Sequence, residues 1–176
     1  MSSIRDLQLL TLGPQLRGSR LNSLGAAAVA IVFARIRSAI AEAAIEAESR
    51  WAIHIRNAAG REDQKTFSSD PDISLVEVLS AGTRQVLAIE VKGGTDVSNI
   101  HNRLGEAEKS HQKARAKGFR EFWTIVNSPV DASVAAAESP STNELFQLSR
   151  IIDPRDPEWL RLRDALTSRL GVPASG

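Results

Sequence analysis

Two β-rich runs, Ile73–Leu79 and Gln85–Val91, are separated only by Ser80-Ala81-Gly82-Thr83 and are followed by Gly93-Gly94. A connection that short, with glycine in it, ties the runs into an antiparallel hairpin. Beyond the glycines, Ser98 or Asn99 can cap a helix. Ile100, Leu104, Ala107, His111 and Ala114 then recur at three- and four-residue intervals, which predicts a helix with that face on the sheet. Gly118 ends the helix, and Phe122–Val126 reads as another strand. Strand, turn, strand, helix, strand is the order of an α/β sandwich built on a small mixed sheet.

The flanking segments say less. Residues 1–23 are broken by Gly13-Pro14 and Gly18, and predict helix only in short pieces. From about Leu24 to Arg50 the chain is rich in alanine and free of proline, which predicts one long helix. Its first half is apolar almost all round, as suits a core or a subunit interface. Trp51–Asn57 alternates in character and reads either as a first strand or as a continuation of that helix. Ala58–Ser69 is a polar loop. Pro129 and Pro140 break the region after the last strand, Leu145–Ile152 is a strand or a short helix, and Pro157 opens a final helix to about Leu170.

The length of 176 residues suits a single domain. Its parts are a helical N-terminal portion over 1–50, a central core over 51–127 and a C-terminal extension over 128–176. Cysteine is absent, which excludes a disulfide framework, thiolate metal sites and a thiol nucleophile, and fits a reducing compartment. A net charge of +1 excludes a polybasic protein, so any nucleic-acid contact must come from a local surface. The longest apolar run, Ala26–Ala34, is too short to span a bilayer and is a poor secretory signal, so the expectation is a soluble, cytoplasmic protein.

The chemistry lies at the open end of the hairpin. Asp70-Pro71-Asp72 precedes the first strand, and Glu90-Val91-Lys92 ends the second. Strand side chains alternate, so Glu90 and Lys92 share a face. A register estimated from the turn sets Asp72 opposite Lys92 and Ser74 opposite Glu90. Asp72 and Glu90 are then a diagonal pair about 7–8 Å apart, able to share one metal ion. Two carboxylates, the Val91 carbonyl and a phosphate oxygen suit Mg²⁺, a hard cation that keeps several waters. Lys92 would orient or activate the attacking water, or neutralise charge in the transition state. Gly93 and Gly94 would let the chain approach a DNA backbone without a Cβ. Asp70 suits a turn cap more than a further metal ligand, and Glu77, on the opposite parity from Asp72, a surface salt bridge.

Pro71-Asp72 and Glu90-Val91-Lys92 resemble the paired elements of the PD-(D/E)XK nuclease superfamily, and type II restriction endonucleases in particular. The likeness covers roughly Trp51–Val126, including the wording IEVKGG and NRLGEAEKSHQKA. It implies a restriction-endonuclease-like sandwich, a central mixed β-sheet flanked by helices. It also implies catalytic Asp72, Glu90 and Lys92, Mg²⁺ as cofactor, and hydrolysis of phosphodiester bonds at a specific site in double-stranded DNA. A homodimer follows, because two-fold protein symmetry mirrors a palindromic site. Many members add a glutamate from an N-terminal helix. Glu46, bordering the apolar face of the expected helix, is first choice for that role, Glu42 next and Glu48 last; a solvated helix face suits all three equally. The chain has no tyrosine, which argues against the exonuclease branch. The competing readings are a repair or resolvase nuclease of the same fold and a non-catalytic DNA-binding module.

Asn99, His101, Asn102 and Arg103 include the side-chain types that read adenine and guanine edges, and equally suit a helix cap with a polar first turn. Lys109 and Lys113, spaced i, i+4, form either a phosphate-contacting strip or a solvated face on which Glu106 pairs with Lys109. No histidines stand at ligand spacing with His101, so a histidine-metal nuclease is excluded. His111 reads as a core-edge histidine, Trp123 as core, and Trp51 and Trp159 as core or interface. Ser139-Pro140-Ser141-Thr142-Asn143 is a base-reading loop or a plain surface turn.

Overall fold

The computed structural model describes residues 7–12, 23–41, 44–49, 52–56, 71–94 and 96–173. In chain order its elements are β1 (Leu7–Leu12), α1 (Ser23–Ala39), β2 (Ala44–Ser49), β3 (Ala52–Arg56), β4 (Ile73–Leu79) and β5 (Gly82–Lys92). A 3₁₀ turn (Val97–Asn99) leads into α2 (Ile100–Ala116). They continue as β6 (Glu121–Val126), α3 (Ala132–Glu138), β7 (Glu144–Gln147), α4 (Leu148–Ile152) and α5 (Pro157–Leu170).

The strands form one seven-stranded mixed sheet in the order β2-β3-β1-β4-β5-β6-β7. β1 through β5 pair antiparallel with their neighbours, while β5, β6 and β7 run parallel. Parallel neighbours need crossover connections; α2 supplies one and α3 the next. Helices therefore cover both faces, and the expected α/β sandwich is the fold observed. One face packs Ile73, Leu75, Leu87, Ile89, Val91, Trp123 and Ile125 against α1, α4 and α5. On the other, Ala88 and Phe122 meet Ala114 of α2, and Val126 meets Ile100 and Leu104 of α2 and Ala135 of α3. Burial on both sides explains why β5 and β6 read as near-continuous apolar runs.

The hairpin forms with a tighter turn than expected. Leu79 pairs with Gly82 across Ser80-Ala81, and Gly82 takes φ +134°, a value that side-chain-bearing residues rarely adopt. A register shift between Leu75 and Val76 then sets Ser74 opposite Ala88 and Ile73 opposite Ile89. Relative to the expected register the strands are two residues out of step. Carrying the observed pairing one residue further brings Asp72 level with Glu90 rather than Lys92.

The five buried residues of α2 are Ile100, Leu104, Ala107, His111 and Ala114, the stripe the sequence spacing defines. Gly118 ends that helix at φ +98°, its N–H donating to Arg115. Pro157 opens α5, with Asp156 accepting from the Glu158 N–H as its cap. Leu145–Ile152 resolves into both alternatives, the end of β7 followed by α4. Trp123 and Trp159 are core residues; Trp51 lies outside the described residues.

The N-terminal half departs from expectation. The helix forecast to reach Arg50 ends at Ala39, and 44–49 is strand β2. Alanine and glutamate favour helix, but pairing with β3 overrides that weak preference. β1, expected as helical pieces at most, is a strand between β3 and β4. Its partners lie 40 or more residues away in sequence, so no local pattern announces it.

Candidate active site

Asp72, Glu90 and Lys92 meet where β4 begins and β5 ends. Asp72 Oδ2 accepts the Val91 N–H at 2.9 Å, which ties the start of one strand to the end of the other. In an extended strand the N–H and C=O of one residue point to the same edge. The Val91 carbonyl therefore faces the Asp72 side, beyond the last ladder pair at Ile73 and Ile89. The Val91 side chain is buried in the α1 face of the core.

Glu90 and Lys92 project on the opposite, α2 face. Lys92 Nζ donates to Glu90 Oε1 at 2.9 Å, and Ser110 of α2 donates to the same oxygen at 3.2 Å. Both hydrogen bonds of Glu90 among the described residues thus fall on Oε1. Burial, with the Asp72 charge adding to it, pushes the Glu90 carboxyl up to about 7, against the opposing pull of Lys92. Burial also acts against the charge on Lys92. The carboxylates of Glu90, Asp72 and Glu106 outweigh it and hold the ammonium above its ordinary value. Lys92 is therefore a cation at neutral pH, a donor rather than a proton acceptor.

The structure adds Glu106 to the site. Glu106 sits with Oε2 3.6 Å from Lys92 Nζ. Glu106 leans toward the end of β5 rather than along α2 to Lys109. Glu106 and Ser110 are spaced i, i+4 on the flank beside the buried stripe, and that spacing was the available signal.

Glu46 does not join this constellation. It lies on β2, the edge strand, with β3, β1 and β4 between it and β5. Four strand spacings separate the two by about 19 Å. Its assignment rested on a helix that is not there, and Glu48 on the same strand shares the objection. Glu42 and Asp70 lie outside the described residues. Glu77 does pair with Arg84, as expected, but its own carboxylate is buried at 2% exposure rather than on the surface.

The proposed DNA-facing residues divide between the two flanks of α2. His101 is exposed and contacts Glu138 of α3 at 3.1 Å, on the flank away from Glu106 and Ser110. Asn102 donates to Asn99 at 2.6 Å. Asn99 occupies the cap position without a side-chain capping bond; Asp96 takes that role by accepting the Ser98 N–H and hydroxyl. The Arg103 guanidinium lies over Gly94, where a Cβ would collide with it. The bare backbone of Gly94 thus makes room for an arginine. Lys109 and Lys113 are exposed on the outer side of α2.

Ser139–Asn143 is a clamp rather than a free loop. Glu108 of α2 accepts the Ser141 N–H at 2.9 Å and its hydroxyl at 2.8 Å. Asn143 brackets Phe122, accepting its N–H through Oδ1 and donating to its carbonyl. A groove of about 800 Å³ bordered by Arg84, Lys117 and Arg120 lies at the other end of β5, away from Glu90 and Lys92.

Residues 1–173 match the family model of the XcyI restriction endonuclease. The type II restriction enzyme XcyI of Xanthomonas campestris pv. cyanopsidis is 47% identical over 171 residues, 96% of this chain and 51% of its own. The type II restriction enzyme Cfr9I of Citrobacter freundii is 51% identical over 146 residues, 82% of this chain and 44% of its own. The chain thus spans about half the length of these curated relatives. No solved structure matches it. On the family match and the identity to both enzymes, the chain belongs to the XcyI restriction endonuclease family.

Proposed function

We propose that this chain is a type II, site-specific deoxyribonuclease of the PD-(D/E)XK kind. It hydrolyses phosphodiester bonds in double-stranded DNA with Mg²⁺, as a homodimer in the cytoplasm. The observation that carries the reading is the junction of Asp72 with β5, beside the adjacent Glu90 and Lys92. Its family membership supports the same chemistry.

The residues fit a hard dication. Burial and then the Asp72 charge raise the Glu90 carboxyl, so the two carboxylates act on one space. No group of three or more His, Cys, Asp or Glu that could hold a metal occurs among the described residues. Two carboxylates with a backbone carbonyl, completed by waters and substrate phosphate, is the donor set of Mg²⁺ rather than of a caged metal. Asp72, Glu90 and the Val91 carbonyl would hold the ion. Bound there, it supplies charge for the scissile phosphate and lowers the pKa of a coordinated water.

Lys92 donates to the phosphoryl oxygens as negative charge builds on them. Water adds to phosphorus as the P–O3′ bond breaks, leaving a 5′-phosphate and a 3′-hydroxyl. Asn99, Asn102, Arg103, Lys109 and Lys113 lie on or beside the first turns and outer face of α2, where duplex DNA would pass on its way to Glu90. His101, on the other flank, would serve only a DNA path that also crosses α3. No helix of the described residues is long and apolar enough to cross a membrane.

The test is a digest of phage and plasmid DNA with the purified protein in Mg²⁺ and in EDTA. Discrete bands in Mg²⁺ that vanish in EDTA are expected, and end sequencing of them gives the site. A smear would move the chain to the repair or resolvase class. Retained DNA binding with no cleavage would make it a binding module.

A further inference from the structure

We propose that α2 carries two positioning residues, Ser110 and Glu106, which bracket Glu90 and Lys92 and hold that pair in its cleavage geometry. The inference rests on the nuclease reading above and adds to it a part of the machinery outside the paired motif elements.

The two residues stand one helical turn apart, so they present side by side to the end of β5. Each touches one member of the pair. The Ser110 hydroxyl donates to Glu90 Oε1 at 3.2 Å, and Glu106 Oε2 lies 3.6 Å from Lys92 Nζ. With Lys92 and Ser110 both on Oε1, Glu90 is turned so that Oε2 is the oxygen left for an ion. Lys92 in turn lies between two carboxylates rather than on one, which fixes the direction of a long and otherwise mobile side chain.

The bracket is anchored from behind. On the far flank of α2, Glu108 is hydrogen-bonded to Ser139 and Ser141, and His111 is buried against Phe122 and Thr124. The helix therefore cannot roll away from β5 without breaking that side. Glu106 is itself 65% exposed, so it contributes little to the core. Outer partners that orient a metal-binding carboxylate typically carry about 10- to 100-fold in metal affinity or activity.

The experiment compares Ser110→Ala, Ser110→Thr and Glu106→Gln with the unsubstituted chain and with Lys92→Ala. The readouts are Mn²⁺ binding by EPR, plasmid cleavage under single turnover in saturating Mg²⁺, duplex binding in Ca²⁺, and melting temperature. Alanine is the best helix former, so Ser110→Ala keeps α2 intact. Ser110→Ala is expected to lower Mn²⁺ affinity and cleavage by about 10- to 100-fold, with duplex binding and melting temperature unchanged. Ser110→Thr, which keeps the hydroxyl, is expected to restore both. Glu106→Gln is expected to slow cleavage by about tenfold without changing Mn²⁺ affinity, because it acts through Lys92. Unaltered Mn²⁺ binding and cleavage in Ser110→Ala and Glu106→Gln would overturn the bracket, as would a folded Ser110→Thr that stays as impaired as the alanine variant. Full cleavage by Lys92→Ala would instead overturn the underlying nuclease assignment.

Discussion

Lys92→Ala is expected to lower the cleavage rate by about 100- to 1000-fold, the scale of losing one donor aimed at developing transition-state charge. Duplex binding in Ca²⁺ and thermal stability should be retained. The separation follows from where the lysine sits. Its Nζ contacts Glu90 and Glu106 and reaches the open end of the hairpin, and its side chain is only 15% exposed. Removing it would leave Glu90 without its cation, which is severe when a buried charge has no escape. Glu90 has one: with its carboxyl already raised to about 7, it neutralises by taking a proton, and the fold survives. Lys92→Arg should recover little, because a planar guanidinium cannot occupy the same point between two carboxylates. Single-turnover cleavage of plasmid DNA beside a mobility-shift titration checks both halves. Cleavage at the unsubstituted rate would remove Lys92 from the mechanism.

What the sequence disclosed and what it concealed divide by the range of the contacts involved. The hairpin, the α2 stripe, the Gly118 stop and the Pro157 start each depend on residues a few positions apart, and each is present. The Glu90–Lys92 pairing is likewise a matter of strand parity over two residues. β1 exists only because distant strands receive it; β2 is the exception to that division, since it pairs with the adjacent β3 but its alanine and glutamate favour helix. Glu46 was lost with that helix, since a residue's reach is set by its element's place in the sheet. The two-residue register error has a smaller origin, a tight Ser80-Ala81 turn and a shift beyond Val76, neither of which composition shows. Glu106 and Ser110 are not legible in the sequence because helical spacing relates them only to other residues of α2, not to the strand beneath.

Acid provides a test of the fold that does not depend on catalysis. Between about pH 6.5 and pH 4, the unsubstituted protein is expected to lose about 3 kcal/mol of stability relative to His111→Leu. His111 is 1% exposed, between Phe122 at 5.3 Å and Thr124 at 3.4 Å. Burial lowers its pKa from 6.5 to about 4; Glu108 works against the shift, while Lys92 and Arg115 add to it. The sign follows from proton counting. Below pH 6.5 the unfolded chain binds a proton at this imidazole, and the folded chain does not until about pH 4. Falling pH therefore favours the unfolded state across that window and stops doing so below it. Glu90 contributes in the opposite sense. Its raised carboxyl binds a proton in the folded state first, so that term stabilises as pH falls through about 7 toward 4.5. The two partly cancel in the unsubstituted protein, which is why the raw acid curve is uninformative and the difference between variants is needed. His111→Leu removes one term and leaves the other, and Thr124 keeps a hydroxyl partner in Thr142 at 2.8 Å. Urea midpoints at half-unit pH steps should diverge for the two proteins from about pH 6.5 downward; parallel midpoints would mean that the imidazole is not held neutral beneath α2.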